Sequence, residues 1–158
     1  MIYKPVELVP FGVTVDIVVL TLLDGKLRVA LIQRGDEPFR DHWALPGGPV
    51  RPEESLIEAA KRALKVETNI AVSGRERLKQ FRSYYEPDRD PRMNVTTTVY
   101  WTIANKLPDT KEGGSAKKVE LVPVREIESG RRKLAFDHRR IIKDGTNLLR
   151  DRLEDTTV

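Results

Sequence analysis

The sequence predicts a single α/β domain. Three observations carry this: two long β-rich runs joined by a two-residue turn, one helix announced by a capping box, and a closing stretch with apolar residues at helical spacing. With 158 residues the chain can bury about 68–70% of its unfolded surface in one core, and it is too short for two full domains.

The elements follow in chain order. Val13–Leu23 is rich in β-branched and apolar side chains, which suit a pleated, largely buried surface. Lys26–Gln33 sets Leu27, Val29 and Leu31 against Arg28 and Ala30, the period-two pattern of a strand. Asp24-Gly25 lies between them, a pair that supplies the positive φ needed at both central positions of a type I′ hairpin turn. Gly35–His42 is polar with a proline and reads as a loop. Trp43-Ala44-Leu45 is a short strand that ends at Pro46-Gly47-Gly48.

Ser55-Leu56-Ile57-Glu58 matches a capping box, in which the serine side chain takes an N–H three residues on and the glutamate returns the bond. Leu56, Ala60, Ala63, Leu64 and Glu67 then recur at helical spacing and predict a helix over Leu56–Glu67. Glu58 and Arg62 stand four apart, the spacing of a helix ion pair. Leu78–Tyr84 alternates as a strand, Glu86–Arg92 is a charged loop with proline, and Val95–Ala104 is a β-rich run without breakers. Pro108–Lys118 reads as a surface loop and Val119–Val124 as a final strand. A basic turn and a helix from about Asp137 to Leu153 close the chain. There is no internal repeat and no low-complexity tract.

Composition narrows the function classes. No cysteine is present, which excludes disulfides, thiolate metal sites and thiol nucleophiles and makes the cytoplasm the expected location. The longest apolar stretch, Ile17–Leu23, is interrupted by Thr21 and falls far short of the ~18 residues of a membrane span. Met1–Pro5 lacks the positive-then-apolar layout of a signal peptide. The net charge of +4 lies wholly within Arg125–Arg152, where nine basic residues face five acidic ones. Those charges are interleaved with Asp137, Asp144 and Asp151 and with Ile141, Ile142, Leu148 and Leu149 at roughly helical spacing. The pattern reads as a solvated helix face rather than a nucleic-acid footprint.

Leu45-Pro46-Gly47-Gly48, Glu54 after five residues and Arg62 after seven more resemble the box of the Nudix hydrolase superfamily, G-x5-E-x7-R-E-U-x-E-E-x-G-U. The resemblance implies an α/β/α sandwich with a mixed sheet, with residues 1–158 as a single Nudix domain. It also implies a cluster of helix carboxylates for divalent ions, which neutralise a pyrophosphate and activate a water. Three positions depart from the box: Ala63 stands for the glutamate after the arginine, Val66 for the first of the paired glutamates, and Asn69 for the glycine. Of the three helix carboxylates Glu67 alone remains. One Mg²⁺ on Glu67, Glu54 and the Gly47 carbonyl stays open, because Mg²⁺ is often held by one or two carboxylates plus substrate phosphates. A site for two or three ions does not. Glu54 and Glu67 read equally well as scaffold carboxylates, and Gly47 and Gly48 as a tight turn.

A second set of residues narrows the resemblance. Arg34-Gly35-Asp36-Glu37-Pro38-Phe39, the Trp43–Gly48 stretch, Arg89-Asp90-Pro91-Arg92 and Leu134-Ala135-Phe136-Asp137-His138 are similar to one branch of the superfamily. That branch holds ADP-ribose pyrophosphatases and Nudix-related transcriptional regulators, and it implies a nucleotide-sugar ligand and a homodimer. Such a ligand needs cations for its diphosphate, flat apolar surfaces for its base and polar groups for its ribose hydroxyls. Arg34, Arg82, Arg89 and Arg92 offer planar donor forks suited to phosphate oxygens. Phe39, Trp43, Tyr84 and Tyr85 offer stacking faces. Asp90 either receives hydroxyls or holds Arg92, Trp43 is equally a core residue, and His138 is equally a cap, a packing residue or an acid–base group.

Two functions are therefore expected in competition. One is a nucleotide-sugar sensor in which hydrolysis is lost or weak. The other is a Mg²⁺-dependent hydrolase that cuts a nucleoside diphosphate from another moiety, with a compensating carboxylate from Glu86, Asp88, Glu112 or Glu120. Direct binding to an operator is not expected, because the chain stops at Thr157-Val158 without a winged helix. No membrane partner is expected either.

Overall fold

Twelve residues of strand, Gly12–Leu23 (β1), form the spine of the fold. The computed structural model describes residues 8–72, 77–105 and 107–155, so the features noted at Met1–Pro5 and Thr157-Val158 lie outside the described residues. Asp24 and Gly25 both take positive φ, and the turn returns the chain as β2, Lys26–Arg34, antiparallel to β1. The remaining strands are β3 (Trp43–Ala44), β4 (Gly47–Pro49), β5 (Lys79–Tyr84), β6 (Val95–Ile103) and β7 (Ala116–Pro123). The helices are α1 (Leu56–Thr68), α2 (Val124–Glu128) and α3 (His138–Asp155).

The seven strands make one sheet in the order β3-β2-β1-β6-β5, with β4 paired to β1 and β7 to β2. The sheet is mixed, because β1 runs parallel to β6 over Gly12–Leu20 and antiparallel to β2 and β4. Side chains alternate across it. Val15, Ile17 and Val19 of β1 pack with Ala59, Ala60, Ala63 and Leu64 of α1. Val18 and Leu20 pack on the other face with Ile127, Ile141 and Ile142 of α2 and α3. Covering both faces makes the α/β/α sandwich and explains why β1 reads as an almost unbroken apolar run. Among the described residues no helix is long and apolar enough to cross a membrane.

Four local expectations change. Gly47–Pro49 is a strand on β1, not only a turn, with Asp16 opposite Gly47 and Val15 opposite Gly48. β7 begins at Ala116, inside the stretch that reads as a loop, because Ala116–Lys118 continues the ladder along Gln33 and Arg34. Val124 belongs to α2, a short helix where a turn was expected, since Val124 and Ile127 bury one apolar face. Arg62 turns away from Glu58 and forks onto Glu54, while Glu58 is spent on the capping box with Ser55.

The departure at Asn69 has a backbone reason. Asn69 ends α1 in the left-handed conformation (φ 64°), its N–H bonded to the Lys65 carbonyl. Its side chain accepts from Lys65 Nζ at 2.7 Å and donates to the Asp109 carbonyl at 3.1 Å. Asparagine is the common substitute for glycine at such a cap, so the box keeps its helix stop without its glycine. Asn69→Val, which resists positive φ, should lower unfolding stability by about 1–2 kcal/mol, while Asn69→Gly should fold normally. Urea unfolding of both variants checks this, and a wild-type midpoint for the valine variant would show that the cap geometry carries no weight.

Candidate functional site

A cleft of about 280 Å³ opens where the ends of β1, β2 and β4 meet the C-terminal turn of α1. All four segments of the second sequence set reach it: Arg34, Asp36 and Glu37; Leu45, Gly47 and Gly48; Arg89, Asp90 and Arg92; Phe136 and His138. Their convergence has a backbone cause. Residues 133–135 clip onto β3, with Trp43 N–H donating to the Lys133 carbonyl and Ala135 N–H to the Trp43 carbonyl, both at 2.8 Å. This short bridge delivers Phe136, Asp137 and His138 to the cleft from the far end of the chain.

On the wall formed by α1, Glu67 accepts from the Gly47 N–H at 2.8 Å and stands 3.4 Å from the Ser115 hydroxyl. Burial pushes its carboxyl up to about 7, nearby Asp16 adds to the rise, and the Gly47 hydrogen bond opposes it. A Cβ on Gly47 would overlap the Val15 carbonyl oxygen and crowd the Asp16 carboxylate, so only glycine lets β4 lie this close. The other two box positions on this helix open elsewhere. Ala63 is 3% exposed within the core beneath α1, and Val66 is 49% exposed, facing Gly114.

The floor is a buried polar network. Asp16 accepts from Thr97 Oγ1 at 2.6 Å, and its other oxygen lies 3.5 Å from His138 Nε2. His138 Nδ1 accepts the Leu45 N–H at 3.0 Å, so the ring proton sits on Nε2, toward Asp16. Burial raises the Asp16 carboxyl, against the opposing pull of His138 and Thr97. Burial also lowers His138, which keeps the imidazole neutral. His138 is buried in this floor and bonds the Leu45 backbone.

Arginines line the opposite wall. Arg34 donates its Nε–H to the Pro38 carbonyl at 2.8 Å. Its guanidinium is held below its usual range by burial and by the neighbouring Arg92. Arg92 is forked onto Asp90 at 3.0 and 2.8 Å. Burial favours the neutral acid at Asp90, yet the hydrogen bonds and charge of Arg92 prevail and hold it low. Asp90 thus holds Arg92 in place. Arg89 differs from its loop position's promise: its side chain is 4% exposed and forked onto Asp137 at 3.0 and 2.8 Å, so it braces the 134–138 segment.

The other sequence candidates stand apart from the cleft wall. Glu54 gives both oxygens to Arg62 and one also to the Arg51 N–H. Trp43 packs against the core on the α3 side beneath Arg132, 4.8 Å from its ring centre. Phe39 backs the cleft, its ring 4.8 Å from that of Phe136. Arg82 sits on edge strand β5, paired with Asp144 at 3.1 Å. Tyr84 is buried with its hydroxyl on Asp144, and Tyr85 is exposed. Asp16, Thr97 and Ser115 are site residues that sequence reasoning missed, and it named Asp137 as part of the 134–138 segment without giving it a role. The one available signal was Asp16 itself, a lone charge in an apolar run, where an acid is seldom buried without a task.

Among the described residues no three His, Asp or Glu side chains come together as a metal cage. With Glu54 locked to Arg62, Ala63 in the core and Val66 facing outward, the residues present do not fit a site for two or three ions.

The NUDIX domain model matches residues 11–145. The chain belongs to the NUDIX family. The Nudix chain is 36% identical over 125 residues to the ADP-ribose pyrophosphatase of Methanocaldococcus jannaschii, covering 78% of this chain and 68% of that protein. It is 29% identical over 147 residues to the ADPR responsive transcriptional repressor NtrR of Acinetobacter baylyi, covering 92% of this chain. This chain spans 57% of the repressor's length. Among solved structures, the NUDIX domain of Shewanella oneidensis NrtR complexed with ADP ribose aligns with a TM-score of 0.81 at 28% identity, covering 93% of this chain and 94% of that one. This Nudix domain is thus related both to ADP-ribose pyrophosphatases and to ADP-ribose-responsive regulators.

The Glu67 carboxyl makes a testable pH signature. Its value of about 7 lies above the ordinary 4.5, so the folded state binds the proton more tightly than the unfolded chain. Its contribution is favourable below pH 4.5 and is lost as pH rises through 7. Glu67→Gln should therefore gain stability relative to the wild type between pH 5 and pH 8 in thermal unfolding. An equal offset at both pH values would mean that Glu67 titrates normally.

Proposed function

We propose that this Nudix domain binds ADP-ribose or a related nucleoside diphosphate sugar as a sensing or regulatory module, with hydrolysis lost or weak. One observation carries the reading: the cleft keeps its arginines and its glycine turn, while one box carboxylate, Glu67, faces it and burial pushes that carboxyl up to about 7. A diphosphate entering the cleft meets Arg34 and Arg92 on one wall, with Phe136 beside them. Asp36 and Glu37 at the rim are acceptors suited to sugar hydroxyls. The ADP-ribose complex of the Shewanella domain and the Acinetobacter repressor support the same ligand class.

A hydrolase that cuts a nucleoside diphosphate from another moiety is the second reading, favoured by the 36% identity to a pyrophosphatase. Its compensating carboxylate is Asp16, whose charge reaches Glu67, in preference to the acids named from sequence. Glu86 is paired with Arg140 and Glu120 with Arg132, and neither these nor Asp88 and Glu112 line the cleft.

Calorimetric titration of ADP-ribose without metal, beside an assay of AMP release with Mg²⁺ or Mn²⁺, separates the two. The sensor gives heat and no release near ordinary turnover of about 1–10³ s⁻¹. Release at such rates would establish the hydrolase, and neither heat nor release would remove both readings. Arg92→Ala should weaken ADP-ribose binding about 10- to 100-fold, the range for a lost charge-assisted hydrogen bond, and unchanged affinity would take the phosphate role from that loop.

A further inference from the structure

Arg34 and Arg92 share one aromatic ring. The Arg34 guanidinium carbon lies 4.9 Å from the centre of Phe136 and that of Arg92 lies 5.9 Å from it, both within cation–π reach. The two cations are also close enough for Arg92 to depress Arg34. Like charges set side by side repel, and the negative face of an aromatic ring offsets part of that cost. Arg34 spends only its Nε on Pro38, and Arg92 spends Nε and Nη2 on Asp90. Both Nη groups of Arg34 and Nη1 of Arg92 are left as donors among the described residues.

Phe136 is itself held in an unfavourable backbone state, φ 50°, which costs a non-glycine residue about 1–2 kcal/mol. The surroundings over-determine it. The bridge of residues 133–135 to Trp43 fixes one side, the Arg89 fork on Asp137 fixes the other, and the Phe39 ring closes edge-on behind it. Strain maintained in this way gathers where a side chain must be aimed.

We propose that Phe136 is a positioning residue that clasps Arg34 and Arg92 together, so that the cleft selects a diphosphate over a single phosphate. The inference rests on the nucleotide-sugar reading above and specifies which part of the ligand the site measures. The Nη groups of Arg34 and Nη1 of Arg92 set donors side by side for two adjacent anionic groups; a lone phosphate engages one arginine and leaves the donors of the other without a guest.

Calorimetry on the full chain in metal-free buffer, with inorganic pyrophosphate, orthophosphate and ADP-ribose as probes, tests the clasp. Phe136→Leu and Phe136→Met fill similar space without an aromatic face. Both should lose about tenfold in affinity for pyrophosphate and ADP-ribose, with a much smaller change for orthophosphate, and Phe136→Tyr should restore the preference. Equal losses for both inorganic anions, an unchanged preference, or no recovery with tyrosine would overturn the clasp. So would failure of both the leucine and methionine variants to fold, which would make Phe136 a packing residue. A wild type that prefers pyrophosphate through Phe136 but ignores ADP-ribose would keep the clasp and remove the sensor reading. A wild type that binds none of the three probes would remove both.

Discussion

A bare Cα at Gly47 is what allows β4 to lie on β1, since a side chain there would overlap the Val15 carbonyl oxygen. That contact sets the Gly47 N–H in front of Glu67 and thereby fixes the last turn of α1 against the sheet. The same approach places Asp16 under the cleft, one residue from the carbonyl that Gly47 touches. Segments that arrive later are positioned against this seam: Ser115 ahead of β7 meets Glu67, and His138 at the head of α3 meets Leu45 and Asp16. The fold and the cleft are consequences of one close backbone approach.

Charge is distributed around that seam in opposite ways. Toward the floor, acids and an imidazole are buried, and burial drives each toward its neutral form. Along the other wall, Arg92 is forked onto Asp90 and Arg89 onto Asp137. A buried carboxylate without a cation is costly, and the floor offsets part of that cost with hydrogen bonds from the Gly47 N–H and the Thr97 hydroxyl. The outcome is a cleft whose arginine wall faces a floor where burial weighs against negative charge, which suits an anionic guest arriving with its own charge.

Most of the architecture was legible in the sequence because its signals are local. Asp24-Gly25, the Ser55–Glu58 box and the alternation of β2 each depend on residues within a few positions of one another. β4 and the start of β7 were not legible, since three residues ending in proline and a Lys-rich stretch become strands only when a partner edge is present. The four motif segments meeting at one cleft were readable as a set, but the division of labour within them was not. Arg89 and Arg92 look alike in sequence. Asp137, 48 residues away, turns the first into a brace, whereas Asp90, two residues away, steadies the second at the cleft. Asp16 was hidden by its neighbours, as an acid in a run otherwise read for hydrophobicity.

Arg62 forks onto Glu54 and also donates to the Pro49 carbonyl, tying the glycine turn to the helix that follows it. The Gly47, Glu54 and Arg62 part of the box is therefore joinery, whereas the positions that differ, Ala63, Val66 and Asn69, are ones whose replacement the fold absorbs in its core, on its surface or at the helix cap. A pattern of glycine, glutamate and arginine at these spacings measures how the domain is assembled. It would rate equally a domain that cuts its ligand and one that only holds it.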